Sequence, residues 1–397
     1  MASDRPSTYT GPALLSRGFR PFFLLSALFA AAAIPAWLAI WTGRLALAGP
    51  FGPVDWHIHE MLFGYTSAVV AGFLFTAIPN WTGRMPRQGL PLALLAGLWI
   101  AGRFAVAGAF GANPLLVLVL DAGFLLAVTA MALVEIAAGR NWKNLMVVVP
   151  VGIYLLANVI FHLEVMEGGE SAVGRRLGFA TVTFLIMLIG GRIIPSFTRN
   201  WLAKRGPGAL PVPFGRFDGL CLAAAAMALL FWTLRPEGLP AALLLALAAV
   251  LHALRLARWR GMATWRSPLL LMLHAAYGFV PLGLAATAAA AADWIGAPAG
   301  MHLLGIGAIG GMTLAVMMRA SLGHTGRPLE AGPILSAGFA CLAAAALARV
   351  LLASADIGGL DGYSLAALFW TLAFAAYIFR IGPCLMRPSA QQTHPIG

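Results

Sequence analysis

The feature that most constrains this chain is a succession of apolar segments, each close to twenty residues long. Bounded by charge, Pro or Gly, they fall at 22–41, 59–79, 90–110, 114–136, 145–163, 176–194, 217–234, 239–255, 268–291, 302–318, 333–354 and 364–381. About 20 apolar residues in helical geometry match the hydrocarbon thickness of a bilayer. Within lipid, a helix satisfies its backbone hydrogen bonds internally. The pattern therefore predicts an all-α, polytopic membrane protein of twelve transmembrane helices. Composition excludes a soluble alternative: 60% of the 397 residues are hydrophobic and 10% are charged, against about 25% charged in soluble domains. The first segment follows Arg17 and Arg20 as the core of a signal peptide would. It is long enough to span and more spans follow, so it reads as a retained first helix.

The net charge of +12 sits largely in short loops. No basic helix or aromatic-basic motif accompanies it, so it points to membrane orientation and not to nucleic acid. With the N-terminus inside, most of the 26 Lys and Arg fall on the cytoplasmic side, among them Arg84, Arg87, Arg140, Lys143, Lys204, Arg205, Arg258, Arg260 and Arg387. Arg44, Arg175, Arg176 and Arg235 fall outside, and Arg103, Arg192 and Arg349 within or at the edge of spans. A miscount by one helix would destroy this alternation, so both termini are expected in the cytoplasm. Cys221, Cys341 and Cys384 are far apart, which indicates neither a disulfide framework nor a thiolate metal site.

The chain also repeats itself. His59, Gly64 and Thr82-Gly83-Arg84 share their spacing with His302, Gly307 and Thr325-Gly326-Arg327. Trp142-Lys143 and Tyr154 match Trp265-Arg266 and Tyr277, and Ile194-Pro195-Ser196-Phe197-Thr198 echoes Ile78-Pro79-Asn80-Trp81-Thr82. The expected division is three four-helix units, near 1–140, 141–264 and 265–397, related by an axis along the membrane normal.

Ionisable groups inside a membrane are costly and mark candidate sites. His57 and His59 open the second predicted helix, His302 the tenth, and His162 closes the fifth, all at the outer face. His274 lies in the ninth helix, His324 in a loop, and His252 and His394 read as interface and tail residues. Imidazole suits iron, copper and zinc. The repeat-equivalent His59 and His302 are candidate axial ligands of one haem. His57 and His59 project about 200° apart and cannot both reach one ion from a regular helix. The candidate metal ligands are therefore His57, His59, His162, His274 and His302, with Arg192 a candidate partner for a haem propionate. Glu60 could orient an imidazole, and Arg103 with Asp121 could form an ion pair. Gly64, Gly72, Gly190, Gly191, Gly305, Gly307, Gly310 and Gly311 either let helices approach closely or leave room for a macrocycle.

Several longer strings carry a resemblance. His57 to Tyr65 (HIHEMLFGY), Ala77 to Arg84 (AIPNWTGR), Gly190 to Asn200 (GGRIIPSFTRN), Gly307 to Leu329 and Ser16 to Phe23 (SRGFRPFF) resemble the NnrS family. The resemblance implies a bacterial inner-membrane protein that contains haem, of the b type, and copper. It also implies a part in denitrification and tolerance of nitrosative stress, with nitric oxide or its metal adducts as partner. It brings no settled reaction and no electron donor. Haem–copper oxidases share a twelve-helix plan with haem histidines on helices 2 and 10, but the adjacent His-His pair of their copper site is missing here. The rival reading is a secondary transporter, whose helices should break in mid-membrane, with Pro35, Pro150 and Pro281 as candidate breaks.

Overall fold

The computed structural model describes residues 9–353 and 355–390; His394 lies outside them. Twelve helices follow one another: α1 Phe19–Trp41, α2 Pro53–Thr82, α3 Leu90–Val106, α4 Pro114–Ala138, α5 Trp142–Met166, α6 Val173–Ala203, α7 Arg216–Leu234, α8 Leu239–Ala257, α9 Pro268–Ala291, α10 Ala297–His324, α11 Gly332–Leu351 and α12 Gly362–Met386. Eleven are long and apolar enough to cross a bilayer. A two-stranded antiparallel ribbon, Asp356–Ile357 with Leu360–Asp361, joins α11 to α12.

The twelfth crossing is α3, at 17 residues and thus about 25 Å, the lower limit for a span. Two sets of contacts show that it crosses. At its start, Gly89 N donates to Leu15 O (2.9 Å), just ahead of α1. At its end it meets the α1–α2 loop so closely that a Cβ on Gly49 would lie 2.1 Å from Val106 O. Gly108, at φ +89°, presses on Ala48 in the same way, a conformation and an approach that require glycine. Parity agrees. Arg20, in the first turn of α1, donates to Leu385 O (2.8 Å) in the last turn of α12 and to Arg387 O (2.7 Å) and Ser389 Oγ (3.0 Å) just beyond it. The guanidinium satisfies carbonyls that a helix C-terminus leaves open. Chain entrance and exit thus share one membrane face, and the number of crossings is even.

Several helices begin earlier than their hydropathy. Pro53, in the first turn, starts α2 six residues before His59, and α10 starts at Ala297 and runs on to His324. His59 and His302 therefore sit in second turns, and His324 ends a helix instead of lying in a loop. The apolar runs miss these segments because they carry polar and small residues. Helices α1, α5 and α9 continue unbroken through Pro35, Pro150 and Pro281. The wide π turns sit elsewhere: Glu60–Tyr65 directly after His59, and Leu303–Gly310 directly after His302. This shared distortion supports the proposal that α2 and α10 are repeat-equivalent, with units near 1–140, 141–264 and 265–397.

The helices pack as two compact units. The first comprises Met1–Gly178, Ala320–Pro328 and Tyr377–Gly397, and the second Phe179–Arg319 and Leu329–Ala376. In the first, Gly72 of α2 sits on the Phe23 ring, where a Cβ would lie 2.6 Å away. In the second, a Cβ on Gly191 of α6 would lie 2.1 Å from the Arg255 guanidinium, and one on Gly307 of α10 2.3 Å from the Phe279 ring. A Cβ on any of the other five candidate glycines would likewise lie within 3.4 Å of protein atoms. At all eight the packing is that of close helix approach. The second unit also holds a buried ionic network. Arg255 Nε donates to Asp218 Oδ1 (2.9 Å), and its Nη1 to Met187 O (2.9 Å) and the Tyr277 hydroxyl (3.1 Å). His252, expected at an interface, is fully buried there between Tyr277 Oη (2.8 Å) and Cys221 O (3.2 Å). Its neighbours in sequence are apolar, so only tertiary packing reveals these partners.

A topology reporter inserted at Gly111 is expected to read the membrane side opposite to one fused after Gly397. The C-terminal reporter should read cytoplasmic, because Arg380 and Arg387 flank the last span. Matching readings at the two sites would mean that α3 does not cross.

Candidate metal centre

The first unit buries a cluster of polar and ionisable side chains drawn from four helices. Five of its members, His59, Glu60, Asp121, Asn158 and His162, are at most 2% exposed, and Arg103 is 9% exposed. The π turn of α2 prepares the place. A π turn loosens the regular ladder of backbone bonds, and side chains take up carbonyls here. Trp99 Nε1 donates to Gly64 O (3.0 Å), Thr66 Oγ1 to Met61 O (2.8 Å), and the Tyr154 hydroxyl to Leu62 O. A Cβ on Gly64 would lie 2.6 Å from Arg103 Nη1 and 2.9 Å from Glu60 Oε2, so a bare backbone is needed for the guanidinium to fit.

Arg103 bridges two carboxylates. Its Nη1 donates to Glu60 Oε1 at 2.5 Å and its Nη2 donates to Asp121 Oδ1. The guanidinium carbon also lies 5.8 Å from the Trp99 ring and 5.9 Å from Phe29. The other oxygen of Asp121 is the convergence point: His59 Nε2 is 3.1 Å from Oδ2, His162 Nε2 is 3.0 Å away, and Asn158 Nδ2 donates to it at 2.8 Å. His59 Nε2 also lies 3.1 Å from Asn158 Oδ1. Its other nitrogen, Nδ1, lies 3.0 Å from Glu60 Oε1.

This geometry leaves His59 short of one positive charge. A neutral imidazole carries a single N–H, yet both ring nitrogens of His59 face carboxylate oxygens, which only accept. The formal count agrees: Arg103 against Glu60 and Asp121 leaves the cluster at −1 when both imidazoles are neutral. A second ring proton or a bound cation closes the deficit, and unneutralised charge is not tolerated at this burial. His59, Asp121 and His162 each offer one ligand atom, all within 4.8 Å of one another and all buried. An ion about 2.0–2.2 Å from each nitrogen and oxygen brings its donors to roughly the separations seen around Asp121 Oδ2. Three protein ligands also leave a coordination position open, as in catalytic metal sites.

Aromatic rings enclose this group. Phe51, from the α1–α2 loop, has its ring 4.8 Å from that of His59 and 5.1 Å from that of His162. Phe63 and Phe161 lie 5.3 and 5.2 Å from His59. They exclude water and strengthen every electrostatic interaction inside.

The sequence-derived candidates are distributed unevenly. His59 and His162 come together, with ring centroids 5.1 Å apart. His57 turns to α1 and stacks on Trp37 at 4.4 Å, as its angular offset from His59 requires. The acceptor for His59 Nδ1 is Glu60 itself. His274 and His302 belong to the second unit. His274 is buried, with Nε2 2.9 Å from Thr198 Oγ1 and Gly261 packed over Nδ1. His302 Nδ1 lies 2.7 Å from Pro298 O. A carbonyl only accepts, so Nδ1 carries the proton and Nε2 presents its lone pair, the tautomer that a metal ligand adopts. Arg192 is exposed on α6. Sequence reading paired Asp121 with Arg103 correctly but did not join it to the histidines, and it passed over Asn158 and Phe51. Asn158 and His162 are four apart on α5 and so share a face, a spacing that could have flagged them.

A family model described as NnrS protein matches residues 13–389. The chain belongs to the NnrS family. The match covers nearly its whole length and includes every residue of the cluster. A comparison with curated proteins gave no match. Membership of the NnrS family makes this a membrane protein related to nitric oxide, and the His59–Asp121–His162 group is its buried candidate ligand set.

Removing the shared carboxylate should be severe. Asp121→Ala takes from Arg103 one of its two carboxylates and from both imidazoles their shared oxygen, and losing one partner of a buried pair costs about 3–5 kcal/mol. His57→Ala, outside the cluster, should cost under about 1 kcal/mol. Unfolding in mixed micelles measures both; equal losses would mean that the cluster does not hold the unit together.

Proposed function

We propose that this protein binds a copper ion and haem in the bacterial inner membrane and acts on nitric oxide or its metal adducts, within denitrification or the tolerance of nitrosative stress. The observation that carries the reading is the convergence of two imidazoles and one carboxylate oxygen in a cluster that carries one negative charge when both imidazoles are neutral. Two nitrogens and an oxygen suit copper, iron or zinc. The family resemblance favours copper.

Within this reading each side chain has a task. His59, His162 and Asp121 hold the ion. Arg103 fixes Asp121 through Oδ1 and so keeps Oδ2 turned to the histidines. Glu60 accepts the Nδ1 proton of His59, which fixes the tautomer and raises the basicity of Nε2. Asn158 donates to Asp121 and confines the carboxylate further. Phe51, Phe63 and Phe161 keep water away, while a small apolar gas such as nitric oxide dissolves readily in such surroundings. A bound copper ion supplies an open position and redox chemistry to which nitric oxide responds.

The contacts of His59 also bear on the haem. To serve as an axial ligand beside His302, its Nε2 would have to leave Asp121 and Asn158. His302 has an open nitrogen already. We therefore assign His59 to the ion and His302 to haem. The transporter alternative loses its candidate breaks, since the helices with internal proline at 35, 150 and 281 are unbroken.

Purified protein in detergent should contain copper and show a haem spectrum. His59→Ala, Asp121→Asn and His162→Ala should each lower bound copper at least tenfold and leave the haem spectrum in place. His252→Ala, in the separate ionic network, should retain copper. Full copper occupancy in all three site variants would refute the assignment.

A further inference from the structure

In the first unit, α2 and α4 finish side by side at the face where α1 begins: Gly89 N, at the end of the loop that follows α2, donates to Leu15 O (2.9 Å). Gly83 closes α2 in the left-handed region (φ +69°), with its N–H on Pro79 O (2.9 Å), so the chain turns sharply off the helix end. The end of α4 is pressed against it. A Cβ on Gly139 would lie 2.6 Å from Thr82, and Asn141 Nδ2 donates to Trp81 O. Between the two helix ends lies a groove with Phe75, Ile78 and Pro79 as its apolar lining and Arg84, Arg87 and Glu135 as its charged lining.

The charged part is built around one carboxylate. Glu135 has its side chain 9% exposed, whereas Arg84 and Arg87 are 45% and 43% exposed. Arg84 Nε donates to Glu135 Oε2 (2.6 Å) and Arg87 Nε to Oε1 (2.8 Å). Two cations on one anion leave the trio at +1. The two guanidinium groups offer about ten N–H donors, and a carboxylate has about four acceptor sites for them. Glu135 therefore orders the pair without neutralising it, and ordered side chains lose less entropy when an anion docks. Between residues 9 and 178, this face carries Arg17, Arg20, Arg84, Arg87, Arg140 and Lys143 against Glu135 as its one acid.

We propose that the Arg84–Glu135–Arg87 clamp binds the phosphodiester of an anionic phospholipid. Three features select that ligand. Guanidinium forks match phosphate oxygens. The arginines follow directly on the end of a membrane-spanning helix, at headgroup depth, where basic grooves between helices hold anionic lipids. The apolar lining suits the glycerol and first acyl carbons, which free phosphate lacks. One headgroup charge of −1 balances the trio, and a zwitterionic headgroup does not. Neither the metal nor the haem assignment enters this proposal.

The test takes full-length protein stripped of lipid in detergent and titrates it with phosphatidylglycerol or phosphatidylcholine, counting bound lipid by native mass spectrometry. Wild type should prefer phosphatidylglycerol roughly tenfold. Arg84→Gln and Arg87→Gln should each weaken phosphatidylglycerol binding about tenfold, as expected for one lost charge-assisted hydrogen bond. Arg266→Gln, which removes a guanidinium stacked on Trp265 in the second unit, should leave binding unchanged. If a Gln variant fails to fold, as judged by size-exclusion chromatography, the Lys variant at the same position replaces it; it keeps the charge, loses the fork and should weaken binding roughly threefold. Inorganic phosphate at millimolar concentration should not displace the lipid. Equal losses at positions 84, 87 and 266 would show diffuse attraction and overturn the site. Equal affinity for the two lipids would overturn it as well, and displacement by inorganic phosphate would make the groove a site for the free anion instead.

Discussion

The first unit depends on one carboxylate. Asp121 lies on α4 in the middle of an apolar helix, where an unpaired charge would be untenable. Its two oxygens are divided: Oδ1 receives Arg103, and Oδ2 receives the groups of α2 and α5. Four helices are thereby tied at one point. With both imidazoles neutral, the same division leaves one negative charge unbalanced on the imidazole side. Structure and chemistry thus share a cause: the interaction that holds the helices together also gathers two imidazoles around one carboxylate oxygen.

Much of the architecture was legible in the sequence because lipid imposes length and polarity on each span. All twelve predicted segments became helices, and the pairing of Arg103 with Asp121 followed from cost alone. What hydropathy could not mark were the first turns of α2 and α10, which begin with Gly-Pro and Gly-Ala-Pro and carry polar or small side chains. This is why His59 and His302 lie deeper in their helices than expected. The glycines were ambiguous for a related reason. A missing side chain is equally consistent with a slot and with close packing, and only the neighbouring Phe23, Phe279 and Arg255 decide for packing.

The site was legible in part. Its histidines stood out as rare ionisable residues at one depth, and Glu60 as a partner for His59. The grouping of His59 with His162 and Asp121 depends on how α2, α4 and α5 face one another, which periodicity in so uniformly apolar a chain does not record. The Phe51 ring is still less visible, since it comes from a loop and closes the cluster from outside the helices.

The central claim is that His59, Asp121 and His162 hold one ion. X-ray absorption at the copper edge of the purified wild-type protein addresses it directly. The account predicts a first shell of nitrogen and oxygen neighbours near 2.0 Å, with the outer-shell scattering of two imidazole rings. A first shell dominated by sulfur, or scattering from a single imidazole or none, would contradict it.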